Sequence, residues 1–231
     1  MTTQLSSSPP PWDFAEGERL LIDKPLTWTS FDVVKKIKYQ CRIKKIGHAG
    51  TLDPLATGLL ILCTGKMTKQ IDRYQAQEKE YVGTLVLGKT TPSVDLETPF
   101  NSERPFDHLT EADLDAARQS LTGEIQQIPP AHSAVQVNGQ RAYKLARKGQ
   151  EVVINPRTVT VKEFTFTEVA LPEISFRIVC SKGTYVRSLV RDLGEQLGVG
   201  AYLKALCRTR IGEYRLSDAY ALDEFIALAQ V

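Results

Sequence analysis

Long apolar runs are absent from this sequence. None approaches the roughly 20 residues that a membrane-spanning helix needs. The longest, such as residues 59–63 (LLILC), suit a buried strand. The first residues, MTTQLSSSPPPWDFAEGE, hold no basic stretch followed by an apolar core, so they do not read as a secretory leader. Cysteine is scarce: Cys41, Cys63, Cys180 and Cys207 stand far apart, with no CxxC pair. That excludes a zinc ribbon or a disulfide scaffold and suits reduced thiols in a cytoplasm. Histidine is scarcer still. His48, His108 and His132 show no HxH or HxxxH spacing, so no metal site is expected. The GxSxG elbow, the Walker loop and a strand-borne GxGxxG are missing, which removes the commonest hydrolase, NTPase and dinucleotide-binding readings.

Charge of one sign is not in excess either. Lysine and arginine number 29 against 27 aspartates and glutamates, a net +2. The chain has 231 residues, 42% of them hydrophobic, which is ordinary globular composition and enough to bury a core unaided. The charge is unevenly spread, however. Residues 35–45 hold six basic side chains and no acid, and residues 177–215 hold eight basic and three acidic. Residues 92–124 hold eight acids against two arginines. A charge run is ordinarily a solvated face. Basic blocks of this kind are also the footprint of a polyanion partner.

Residues 1–16, rich in Ser, Pro and Thr, read as a flexible tail, and residues 17–231 as a single domain without internal repeats. Residues 19–22 read as a short strand. Ser30 is placed to cap a helix with Phe31, Val33, Val34 and Ile37 on its apolar face. Residues 47–58 (GHAGTLDPLATG) read as a loop, 81–87 as a strand, and 110–121 as a helix capped by Thr110 and Asp113. Strands are expected at 159–166 and 174–180, the second with Ile174, Phe176, Ile178 and Cys180 on one face. Gly183-Thr184 opens a helix with the stripe Val186, Leu189, Val190, Leu193, Leu197, and a last helix covers 222–229. Strands and helices do not alternate regularly, so the expectation is an α+β fold with a mostly antiparallel sheet.

Two places offer chemistry. Asp53 stands between Leu52 and Pro54 in the glycine-flanked loop. Aspartate before proline is a common turn residue. As a reactive carboxylate it would sit at a loop tip that Gly47, Gly50 and Gly58 open to a ligand. Tyr185 and Arg187 begin their helix two residues apart, hence on different sides of it. They follow Lys182-Gly183-Thr184, a composition that suits an anion site. His48 is a lone loop histidine, more often hydrogen-bonded than catalytic. By themselves these features name no reaction.

Residues 47–69, GHAGTLDPLATGLLILCTGKMTK, resemble the central motif of the TruB family of pseudouridine synthases. Four more stretches agree with that family, in order along the chain. Asp23-Lys24-Pro25 with Thr29-Ser30 is similar to its entry motif. Residues 79–81 with Leu87-Gly88, Thr90-Thr91 and Asp95 resemble its tyrosine strand. Pro129-Pro130 with Ser133-Ala134, Gly139, Tyr143 and residues 146–149 resemble its T-loop-gripping segment. CSKGTYVR at 180–187, then Asp192-Leu193-Gly194 and residues 206–209, resemble its C-terminal motif.

The resemblance implies the pseudouridine synthase fold, a central, mostly antiparallel mixed sheet flanked by helices. It implies isomerisation of the T-loop uridine at tRNA position 55, in the cytoplasm, with no metal and no cofactor. The partner implied is the T-arm of tRNA, with no membrane, no obligate protein partner and a monomeric enzyme. Asp53 would be the catalytic carboxylate, Tyr81 the ring that stacks on the target base, and Arg187 the cation that pairs with Asp53. His48 would fill the space the uridine vacates in the T-loop or support the loop's splayed conformation. Tyr185 and Leu206 would line the uracil pocket, with Lys24 and Pro25 buttressing its floor. The sequence departs from the pattern at Ala49 (usually Thr), Gln136 (where Lys is common) and Cys207 (for one arginine of a pair). Only 17 residues follow Tyr214, too few for the appended RNA-binding domain of longer members. Two rival readings are a tRNA-folding chaperone with little turnover and a guide-RNA-dependent synthase. The presence of Asp53, Tyr81 and Arg187 together favours turnover over the first, and the missing appended domain argues against the second.

Overall fold

The computed structural model describes residues 12–133, 135–137, 139–150 and 152–229. In chain order the main elements are β1 (Arg19–Lys24), α1 (Ser30–Gln40), β2 (Ile46–His48), β3 (Ala56–Thr64), α2 (Ile71–Gln75), β4 (Lys79–Leu87) and α3 (Glu111–Ser120). Then come β5 (Gly123–Gln127), α4 (Ala142–Ala146), β6 (Arg157–Ala170), β7 (Glu173–Cys180), α5 (Val186–Gln196), β8 (Ala201–Ile211) and α6 (Leu222–Ala229). The fold is α+β with a mixed sheet in which antiparallel pairs predominate, as the sequence predicts. The chain divides into two compact units, Met1–Lys79 with Cys207–Val231, and Glu80–Leu206. Both boundaries fall inside strands, β4 and β8, so no linker composition marks them. Among the described residues no helix is long and apolar enough to cross a membrane.

In the first unit β1 pairs antiparallel with β3 from Arg19↔Cys63 to Lys24↔Gly58, and β2 pairs antiparallel with the end of β3. Strand β3 is buried on both faces. Leu60 and Leu62 join Ile22, Ile37 and Phe225 in one core, while Leu59, Ile61 and Cys63 join Tyr74 and Tyr214 in another. That is why the strand reads as a continuous apolar run and not as an alternation. Each such side chain contributes about 1.5–3 kcal/mol on burial.

Helix α1 corrects two expectations. Its cap is Thr29, not Ser30: Thr29 Oγ1 accepts the Asp32 N–H while the Asp32 carboxylate accepts the Thr29 N–H. Phe31 lies off the apolar face and is exposed, whereas Val33, Val34 and Ile37 are buried. The loop at 47–58 is also shorter than expected. Pairing extends through His48 and resumes at Ala56, leaving residues 49–55. Of the expected tail, residues 1–11 lie outside the described residues, but residues 12–16 are packed. Trp12 and Phe14 rest on Phe225 with ring centroids 5.0 and 6.4 Å apart, and Asp13 Oδ1 accepts the N–H groups of Ala15 and Glu16. Two aromatic rings fix a stretch whose Ser/Pro neighbours suggest freedom.

In the second unit β4, β7, β6 and β5 lie side by side in that order. Residues 201–206 of β8 run against β4, where a Cβ on Gly83 would meet the Ala205 carbonyl at 2.5 Å. The foreseen stripe of α5 is buried at Val186, Leu189, Val190 and Leu193. Strands β5 and β8 are not foreseen in the sequence. Their glutamines and arginines mask the apolar alternation.

Candidate active site

The 49–55 loop carries Asp53, half-buried, and is held by its backbone from several sides. Ser30 Oγ, fully buried, accepts the Leu52 N–H at 2.9 Å and donates to the Leu52 carbonyl at 3.3 Å. On the other side of Asp53, the Pro54 carbonyl accepts from the Thr27 N–H at 2.9 Å and from Lys24 Nζ at 3.3 Å. The Asp53 carbonyl closes a turn with the Ala56 N–H. Arg208 spans the loop's two ends: Nε donates to the Leu59 carbonyl at 2.7 Å and Nη2 to the Gly50 carbonyl at 3.1 Å. Its guanidinium is buried, 1% exposed, so these bonds replace water and each is worth about 1.5–3 kcal/mol as a charge-assisted bond.

Gly58 permits that close packing. Its φ is +98°, and a Cβ would lie 2.4 Å from the Arg208 carbonyl oxygen and 2.8 Å from its nitrogen. Both obstacles are backbone, so Gly58→Ala is expected to destabilise the protein by about 2–4 kcal/mol, read as a lower denaturation midpoint.

Lys24 is fully buried, with Nζ donating to the carbonyls of Pro25, Trp28 and Pro54. Burial pushes its pKa from the ordinary 10.5 down to about 8, against the opposing pull of the Asp53 charge. Between about pH 8 and 10.5 the unfolded chain therefore binds more protons at this residue than the folded one, and its contribution to stability rises with pH. We expect the melting temperature of Lys24→Met, relative to the parent protein, to fall behind progressively across that window. A constant offset between the two would contradict this.

His48 Nε2 lies 3.1 Å from Thr51 Oγ1, and burial, aided by the Arg208 charge, holds its pKa below the usual imidazole range. Pro25 is half-buried beside this floor, its carbonyl taken by Lys24. The first unit thus holds Lys24, Pro25 and His48 around the loop that carries Asp53. Ser30 and Arg208 belong to it as well. Both stand inside motifs visible in the sequence, but nothing local signals that one hydroxyl and one guanidinium grip the loop backbone.

The second unit carries the other four residues. Tyr81 is buried on β4, and Leu206, also buried, ends the unit's share of β8. Arg187 is 2% exposed on the first turn of α5. Its Nη1 donates to the Ser93 carbonyl at 3.0 Å, Nη2 to the His132 carbonyl at 2.9 Å, and Nε lies 3.7 Å from the buried Asp95 carboxylate. The acidic segment 92–124, for which the sequence offers no role, thus begins with the turn that aims Arg187. Tyr185 leaves on another side, its ring 4.7 Å from the Arg157 guanidinium. The Gly183-Thr184 pair does not cap α5. Its N-cap is Tyr185, whose backbone the fully buried Gln127 holds, Oε1 accepting the Tyr185 N–H and Nε2 donating to the Tyr185 carbonyl.

The basic blocks part ways. In residues 177–215 most cations are spent internally: Arg177 on Glu80 and Glu163, Arg191 on Asp192, Lys204 on Glu173, Arg210 on Glu78. Arg147, in the 141–148 run, pairs with Glu97. Lys35, Lys38, Arg42, Lys44 and Lys45 are exposed and form no ion pair among the described residues. They are the stronger candidates for a polyanion.

The model of the TruB family pseudouridylate synthase (N terminal domain) matches residues 37–186, and that of the tRNA pseudouridylate synthase B C-terminal domain matches residues 187–231. The chain belongs to the TruB family. The tRNA pseudouridine synthase B of Phocaeicola vulgatus is 53% identical over 92% of this chain and 93% of its own length. That of Flavobacterium johnsoniae is 49% identical over 93% and 97%. A crystal structure of a Cbf5-Nop10-Gar1 complex is similar with a TM-score of 0.72 and 28% identity over 93% of this chain. This chain spans 54% of that one, about half its length. Against the TruB pattern, Ala49 is fully buried in the Leu59–Tyr74 core, and the Cys207 thiol is hydrogen-bonded to Thr57 with burial raising its pKa.

Proposed function

We propose that this chain is a tRNA pseudouridine synthase that isomerises the T-loop uridine at tRNA position 55, with Asp53 as its catalytic carboxylate. The observation that carries the reading is TruB membership combined with Asp53 on a loop whose backbone is braced on both sides of it. The relatives named tRNA pseudouridine synthase B match it over nearly their whole length. The reaction breaks the uridine N1–C1′ bond, turns the uracil and joins C1′ to C5; the C5 hydrogen leaves as a proton and N1 takes one up. No net redox change accompanies it. An ionised carboxylate serves either route, attack at C1′ or removal of the C2′ proton through a glycal. Arg187 would pair with Asp53 and favour that ionised form. Tyr81 would stack on the base, with Tyr185 and Leu206 beside it and His48 in the space left by the flipped nucleotide. Flipping costs a few kcal/mol, offset by phosphate contacts from residues 35–45. The enzyme works as a cytoplasmic monomer without a cofactor.

Carbodiimide modification of unmodified tRNA treated with the protein, followed by primer extension, tests the assignment. One new stop, at the T-loop uridine, is expected. Stops elsewhere and none there would assign a different RNA target.

A further inference from the structure

A groove of about 430 Å³ runs along the outside of α1 in the first unit, lined by Thr27, Trp28, Asp32, Lys35, Lys36 and Tyr39. The spacing of Asp32, Lys35/Lys36 and Tyr39 places them on one stripe of the helix, with Trp28 just ahead of its N-cap. Tyr39 is 71% exposed and Phe31, one residue from the stripe, 67%. Large rings left in water on a helix that already has a buried face are not needed for its packing. Asp32 is engaged at the cap, its carboxylate bonded to the Thr29 N–H and hydroxyl. Lys35 and Lys36 form no ion pair among the described residues, and the chain continues with Lys38, Arg42, Lys44 and Lys45. Thr27 at the groove's head has φ +69°, a conformation that β-branched residues rarely adopt, yet its side chain is exposed. Folding alone favours glycine there. The Trp28 carbonyl, at the same end, accepts from Lys24, the residue that also holds the Pro54 carbonyl beside Asp53.

We propose that this groove is a second RNA subsite, outside the base pocket, where an unpaired nucleotide of the substrate stacks on Tyr39 and sets its phosphate against Lys35 and Lys36. Exposed rings interleaved with unpaired lysines are the combination that holds single-stranded nucleic acid. A protein partner would more readily match a neutral apolar patch, and the cationic rim favours RNA. The proposal rests on the tRNA reading and adds to its phosphate contacts at residues 35–45 a stack on Tyr39, which that reading does not contain.

The test is equilibrium binding of unmodified full-length tRNA to Asp53→Asn protein, so that turnover plays no part. Tyr39→Ala in this background is expected to weaken binding about tenfold, the scale of one base–aromatic stack. Tyr39→Phe, which keeps the ring, is expected to restore it. Replacing Lys35 and Lys36 by glutamine should reduce the salt slope of log K by roughly one to two. Unaltered melting temperatures confirm that the fold is kept, since all three side chains lie on the surface. Affinity within twofold of the parent for Tyr39→Ala overturns the subsite. So does concentration-dependent self-association lost in Tyr39→Ala, which would make the groove a contact between copies. Displacement of tRNA by millimolar uridine monophosphate only when Tyr39 is present would assign the groove to a free nucleotide instead. If the parent protein releases no C5 tritium from tRNA yet binds it through Tyr39, the catalytic reading fails and the subsite stands.

Discussion

Asp53→Asn is expected to lower the single-turnover rate on unmodified tRNA by about 10³-fold or more, while tRNA affinity stays within about threefold. The asymmetry follows from how the loop is held. Ser30 grips both backbone groups of Leu52, Lys24 and Thr27 grip the Pro54 carbonyl, and Arg208 grips Gly50 and Leu59. These braces engage the main chain, so a change at the Asp53 carboxylate does not release them. Asparagine has the same shape, so the loop keeps its path and only the ionised oxygen is lost. A second consequence is electrostatic. The Asp53 charge raises the Lys24 pKa against the effect of burial, so the variant should show a Lys24 pKa below the parent's value of about 8. A variant with more than a tenth of parental turnover would assign the carboxylate chemistry elsewhere.

Arg187→Met is expected to cost stability as well as activity. The guanidinium is buried beside Asp95 and donates to the Ser93 and His132 carbonyls. Removing it leaves a buried carboxylate and two carbonyls short of a donor, which costs about 3–5 kcal/mol. As the proposed partner of Asp53 it should also lower turnover by about 10²-fold or more. Arg187→Lys keeps the charge without the fork and should recover part of the stability but little of the rate. Adding Asp95→Asn to Arg187→Met should return part of the lost stability, because the unpaired charge goes with it. Urea denaturation and single-turnover kinetics on the parent, Arg187→Met, Arg187→Lys, Asp95→Asn and the double variant read both effects. Additive losses in the double variant would mean that Arg187 and Asp95 do not act as a pair.

The parts legible in the sequence are those whose signals are local. Thr110 and Asp113 cap α3 as a capping box three residues apart, and the alternation of Ile174, Phe176, Ile178 and Cys180 marks β7. On local grounds Asp53 is only a turn residue beside proline, and its proposed role comes from the resemblance of residues 47–69 to the TruB motif. Strand β8 is not, because Lys204, Arg208 and Arg210 interrupt its apolar pattern, and two of those charges turn inward to carbonyls and Glu78. The cap of α1 shifts by one residue because Ser30 is drawn to Leu52, a partner 22 positions away. Gln127 at the start of α5 and the Ser93–Asp95 turn under Arg187 are likewise long-range. Each looks like ordinary loop or edge polarity until the chain folds. The same holds for charge: the block 177–215 reads as a basic face, but most of its cations are engaged internally by acids or carbonyls, many of them distant in sequence.

The central claim is that this TruB-family chain isomerises a tRNA uridine through Asp53. Joining C1′ to C5 must expel the C5 hydrogen, so tritium release from unmodified tRNA labelled at uridine C5 reports the reaction itself. Release of one tritium per tRNA is expected from the parent protein and none above background from Asp53→Asn. Equal release by both, or none by a parent protein that binds the tRNA, would contradict it.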